Sequence, residues 1–239
     1  MQGPWGEERS ATPRRGRWSQ AEIDRFKELY GLRDDNAIAR ELNRSVASVR
    51  MMAERAFDEP MKSGPWTLEE VHNLKRYLGA TSLEIVARII ARPIEEVQEQ
   101  VERLRTVQLT GRWSQEEISE LKRLYGTRTD EDLALIFGRS VESIRAESDK
   151  LCIAKDKAFL RRKSGGQKSI RMPRWKPEEL RVLEELYPAH SNLDIAQRLN
   201  RSVKSVVSKA HNMGLKKDPE RLREMGRQNV SLRYNRRGS

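Results

Sequence analysis

The side chains in this 239-residue chain with the most varied hydrogen-bonding chemistry fall together in one short segment. Val206, Ala210 and Met213 recur there at four- and three-residue spacing, which marks the buried face of a helix. At 100° per residue, Lys204, Ser208 and His211 then point the opposite way, with Val207 and Asn212 at the margins of that face. An amine, a hydroxyl, an amide and a branched methyl group on one helix face have the chemistry to meet nucleobase edges. Lysine suits guanine, serine and asparagine donate or accept, and valine suits a thymine methyl. For His211, base contact and plain solvent exposure are evenly balanced. Around this face stand Arg174, Arg201, Ser202, Lys209, Lys216 and Lys217, assigned to phosphate oxygens because charge and free amides at a helix start suit an anion. A structural ion pair is the other reading of Arg201, since Arg92 holds the same place in a segment unsuited to phosphate.

Chemistry of other kinds finds little support. The three histidines, His72, His190 and His211, have no metal-ligand spacing, and Cys152 is the lone cysteine. No zinc site, histidine-based nuclease motif or phosphate-cradling glycine loop can be assembled, and no cofactor is implied. The carboxylates fall in helix first turns and on exposed faces, where stabilisation of helix dipoles accounts for them. The expectation is a non-enzymatic protein without metal.

The elements that position the polar face belong to a fourfold repeat. Trp18, Trp66, Trp113 and Trp175 open similar segments, spaced by 48, 47 and 62 residues. Eight places on stand Phe26, Leu74, Leu121 and Leu183; twenty on, Ile38, Val86, Leu133 and Ile195, each followed by alanine. Arginine is always 26 places on (Arg44, Arg92, Arg139, Arg201), and Val49, Val97, Ile144 and Val206 are 31 on. The periodicity predicts three helices per repeat. The first is announced by Ser19-x-x-Glu22, Thr67-x-x-Glu70 and Ser114-x-x-Glu117, with Pro177 in the first turn of the fourth copy. Four residues, such as Asn200 to Val203, separate the second and third helices, which is helix-turn-helix geometry. A continuous helical solenoid has a similar period, but the long last gap would break its stack.

These residues resemble the Myb/SANT-like branch of the homeodomain-like helix-turn-helix domains. The resemblance rests on Arg-Trp-Ser-x-x-Glu, then Leu-Tyr, then Ile-Ala-x-x-Leu-Asn-Arg-Ser before a third helix. The fourth repeat looks most like bacterial and phage modules of the GcrA type and those joined to nucleases. Only the first of the three spaced tryptophans usual in Myb repeats is present, with aliphatics in the second place. The resemblance implies an all-α tandem array of four three-helix modules and DNA binding; relatives of SANT type dock proteins instead.

The expected organisation is a disordered 1–16, modules at 17–57, 65–105 and 112–152, a basic linker 153–174, module four at 175–215 and a basic tail 216–239. Charge separates the four copies. From the third-helix cap to the helix end the net charge is +1 (45–56), −3 (93–104), −1 (140–151) and +2 (202–213). A reading helix lies among phosphates, so the fourth is the expected main reader and the first a secondary one, through Arg50 and Met51. Linker and tail carry net +7 and +5, and suit arms that order on phosphate. The whole chain is +11. Double-stranded DNA is the expected partner, in transcription or nucleoid organisation. Proteins could dock on modules two and three, whose acidic helices could otherwise mask the basic arms. The alternative function is a SANT-like adaptor with nonspecific DNA affinity. No apolar run is long enough to span a membrane, so none is expected as a partner. The expected place is the nucleoid-containing cytoplasm for a bacterial protein and the nucleus for a eukaryotic one.

Overall fold

The computed structural model describes residues 13–165, 173–224 and 227. The described chain is all-helical, with no β-strand among these residues. Repeat one holds α1 (Gln20–Leu29), α2 (Asp35–Glu41) and α3 (Val46–Ala56), and repeat two α4 (Leu68–Tyr77), α5 (Leu83–Ile90) and α6 (Ile94–Thr106). Repeat three holds α7 (Gln115–Leu124), α8 (Asp130–Phe137) and α9 (Val141–Lys150). After α10 (Lys157–Lys163), repeat four holds α11 (Pro177–Leu186), α12 (Asn192–Leu199) and α13 (Val203–Asn212). The fold divides into two compact units between Gln108 and Leu109.

The periodic positions build the cores. Phe26, Ile38 and Val49 are fully buried, as are Leu74, Val86 and Val97, Leu121, Leu133 and Ile144, and Leu183, Ile195 and Val206. Each repeat thus buries one side chain from each of its three helices. Each such burial is worth about 1.5–3 kcal/mol. The residue 25 places after each tryptophan (Asn43, Ala91, Gly138, Asn200) has a left-handed backbone with φ between 48° and 62°. That turn lets the next N–H reach back to the alanine carbonyl, as Arg44 to Ala39 at 2.9 Å and Arg201 to Ala196 at 2.9 Å.

The repeated arginine is the most heavily bonded side chain of each copy. Arg92 donates from Nε to Glu70 Oε1 (3.1 Å), from Nη2 to Glu70 Oε2 (3.0 Å), and to the carbonyls of Gly64 (2.8 Å) and Pro65 (3.1 Å). Its guanidinium lies 4.8 Å from the Trp66 ring centroid, and only 2% of the residue is exposed. Arg44 repeats this with Glu22, Gly16, Arg17 and Trp18, and Arg139 with Glu117, Gly111, Arg112 and Trp113. The same glutamates accept the backbone N–H of Ser19 (2.8 Å), Thr67 (2.9 Å) and Ser114 (2.7 Å), closing the capping boxes. One carboxylate therefore fixes both the start of the first helix and the arginine before the third.

Three stretches differ from expectation. Residues 13–16, expected to be disordered with the rest of 1–16, include Arg14, whose N–H donates to the Asn43 carbonyl at 2.7 Å, and Gly16, which accepts from Arg44. Residues 1–12 lie outside the described residues. The linker begins with α10, and the tail has helical backbone over 219–224. The remaining linker, 166–172, and the tail at 225–226 and 228–239 lie outside the described residues.

In the first unit, the Arg92 hydrogen bonds hold the carboxyl of Glu70 down at about 2, and those of Arg44 do the same for Glu22. A carboxylate whose pKa is depressed by folding stabilises the fold above its unfolded value, and that stability is lost as pH falls from about 4.5 toward 2. Glu70→Gln should lower unfolding stability by about 3 kcal/mol, because Arg92 stays buried with the half-buried Glu96 as its one remaining counter-charge. It should also flatten the acid limb; urea denaturation followed by circular dichroism between those pH values checks both.

Candidate nucleic-acid interface

Within the second unit, α13 packs Val206 and Ala210, both fully buried, against Leu183, Leu186, Ile195 and Ala196. Lys204, Val207, Ser208, His211 and Asn212 are all exposed, and Val207 leaves 40% of its surface open. The structure thus brings the five base-reading candidates onto one open face. Gly214, at φ 69°, ends the helix behind them.

The start of α13 is already occupied. Ser202 caps the helix by accepting the Ser205 N–H (3.2 Å), and Val203 N–H donates to the Cys152 carbonyl (3.0 Å). Arg201 binds Glu179 (3.1 and 2.8 Å) and the carbonyls of Pro173 (2.8 Å) and Arg174 (2.8 Å), 4.9 Å from the Trp175 ring centroid. Arg201 and Ser202, both assigned from sequence to phosphate, thus engage groups of the fold, and the surroundings of Arg201 accord with its ion-pair reading. Lys217, also assigned to phosphate, is likewise engaged within the fold. Its amine sits 3.9 Å from the Tyr187 ring centroid and donates to the His190 carbonyl, and burial lowers its pKa. Arg174 and Lys216 are exposed, and Lys209 is half-buried.

The residues after α9, read from sequence as the beginning of a flexible arm, join repeats three and four. Gln197 Nε2 donates to the Lys150 carbonyl (3.0 Å), and Cys152 packs against the core of repeat four. Lys155 pairs with Asp130 (2.8 Å) and lies 3.6 Å from the Tyr125 ring centroid. Asp156 donates its N–H to the Gly126 carbonyl (2.8 Å) and accepts Lys204 Nζ at 2.7 Å. A Cβ at position 126 would stand 2.8 Å from Asp156 Oδ2, so a side chain there would make that carboxylate shift. Sequence reasoning missed Asp156; its signal was being the one acid among the eight basic residues of 153–174.

A groove of about 780 Å³ separates the two repeats. Lys204, Val207, Ser208 and His211 line one side, Lys122 and Arg123 the other, and Cys152, Ile153 and Ala154 lie between. In the first unit, the secondary candidates are placed differently. Arg50 is bound to Asp35 (3.0 Å), and Met51 lines a smaller hollow with Arg17, Trp18, Ser48 and Arg55. Repeat three ties the equivalent Arg145 to Asp130 (3.1 Å). On α6, Glu96 is bound to Arg92, while Glu95, Glu99 and Glu102 are exposed.

Among the described residues, no group of three or more histidine, cysteine, aspartate or glutamate side chains could hold a metal ion, and no helix is long and apolar enough to cross a membrane. No protein-family model, curated protein or solved structure matches this chain.

Cys152 reports on the joint between repeats. Burial and the nearby Asp149 push its thiol up from the usual value. Only the thiolate reacts, so the pH profile of its reaction with a disulfide reagent should be displaced upward from that of a small free thiol. Gln197→Ala, which releases the Lys150 carbonyl, should bring the profile back toward the free-thiol value.

Proposed function

We propose that this chain is a double-stranded DNA-binding protein built as a tandem array of four Myb/SANT-like helix-turn-helix modules, with α13 as the helix that enters the major groove. One observation carries the reading. Of the four third helices, α13 alone combines a net basic, acid-free sequence with an exposed face of lysine, serine, histidine and asparagine over a buried apolar face. A duplex presents one negative charge per ~1.7 Å of axis, so a helix free of acids can approach it where α6 would be repelled.

On this reading Lys204, Val207, Ser208, His211 and Asn212 contact base edges, while Arg174, Lys209 and Lys216 hold phosphates. The repeated arginines shape the modules without touching DNA. The biological setting is transcription or nucleoid organisation. A second reading, a SANT-like protein adaptor with nonspecific DNA affinity, draws support from the exposed glutamates of α6.

Selection from a random duplex pool by the full chain, followed by sequencing, tests the proposal. An enriched motif is expected, and Lys204→Ala/Ser208→Ala should abolish it. Binding with no motif in the wild type would favour the adaptor. Asp156→Asn should tighten binding severalfold, because it frees Lys204 and removes an acid from the interface; the surface pair itself holds only about 0–1 kcal/mol. Weaker binding by that variant would mean that Asp156 positions Lys204 instead of competing for it.

A further inference from the structure

The reading face of α13 faces a second wall, supplied by repeat three. That repeat has no reading helix of its own by the same charge argument. On α9, Arg145 is bound to Asp130 and stands 4.0 Å from Glu131, and Glu142 and Asp149 are exposed acids. Yet Lys122 and Arg123, in the last turn of α7, border the same groove as Lys204, Val207, Ser208 and His211. Basic residues in a last turn complement the helix dipole, and Lys75 and Arg76 do so on α4. What sets Lys122 and Arg123 apart is the wall on which they stand.

The charges of the groove have a simple balance. Asp156, the acid in the lining, is matched by Lys204. On the opposite wall Lys122 is an exposed cation, and Arg123 is a second, matched by Glu120 of its own helix. That pair lies at the surface, with Arg123 exposed and Glu120 half-buried, and surface pairs can exchange their carboxylate for a phosphate. Ile153 between the walls, with Val203 and Val207 on α13, offers apolar surface suited to sugar and thymine methyl groups. A helix in the major groove lies between two backbones, so a strand beside α13 would run through this groove with its phosphates toward α7.

We infer that Lys122 and Arg123 hold the phosphodiester backbone of that strand, so that repeat three is the clamp and repeat four the reader of one DNA interface. This rests on α13 being the major-groove helix. The pinned segment from Lys150 to Asp156 sets the distance between clamp and reader, which a flexible linker could not do.

The test is fluorescence anisotropy of a labelled duplex, titrated with the full chain between about 50 and 200 mM salt. Lys122→Ala/Arg123→Ala should reduce the slope of log Kobs against log salt by about 2, at roughly 0.9 per phosphate contact, with sequence preference retained. Arg103→Ala/Arg105→Ala, which removes the same charge from α6, should leave the slope unchanged. An unchanged slope in the Lys122/Arg123 variant, or an equal loss in the α6 control, overturns the clamp. Absence of DNA binding by the wild type would instead overturn the reading of α13, and the clamp with it. Lys122→Arg/Arg123→Lys should restore the wild-type slope.

Discussion

A guanidinium, buried in three repeats and half-buried in the fourth, held by one carboxylate and two backbone carbonyls against an indole face, is the constraint on which each repeat depends. It ties three places distant in the chain: the strap before the first helix, the first turn of that helix, and the turn before the third. An isolated buried charge would cost several kcal/mol, so such a group persists only when every donor is met. Arg92 meets that condition with Glu70, Glu96, Gly64 and Pro65. The turn that carries it also aims the third helix, because the arginine stands next to the residue that caps that helix.

A frame fixed from within leaves its outer surface free to vary. The four third helices share a buried valine or isoleucine and differ in what they expose. The exposed faces run from the glutamates of α6 to the lysine, serine and histidine of α13. The proposed division of labour among repeats follows from charge laid over a common skeleton. Repeats three and four add a second constraint: the segment between them is pinned by Gln197, Val203, Gly126 and Lys204, which holds two walls of a groove at a set spacing.

Much of the fold was legible in the sequence because it rests on local, periodic signals. The apolar positions 8, 20 and 31 places after each tryptophan are the fully buried ones, and the Ser-x-x-Glu boxes start the first helices. The open face of α13 was legible for the same reason. What stayed hidden were pairings across the chain. Glu179 and Arg201 are 22 residues apart, a spacing that all four repeats keep, but spacing alone does not show that the two side chains meet, so both a phosphate contact and an ion pair stayed open for Arg201. Asp156 and Lys204 are 48 apart, and the basic composition around Asp156 suggested a solvated arm. Lys122 and Arg123 resembled ordinary last-turn cations, since only tertiary packing sets them opposite α13.

The most direct measurement of the central claim is a residue-by-residue map of the contact. Isotope-labelled full chain would be titrated with a DNA duplex and followed by amide chemical shifts. If α13 is the reader, the amides of Lys204, Val207, Ser208, His211 and Asn212 should move together and saturably, while those of α6 stay in place. Shifts confined to the tail beyond Lys216, with the α13 face unmoved, would contradict it and leave the chain a nonspecific polyanion binder.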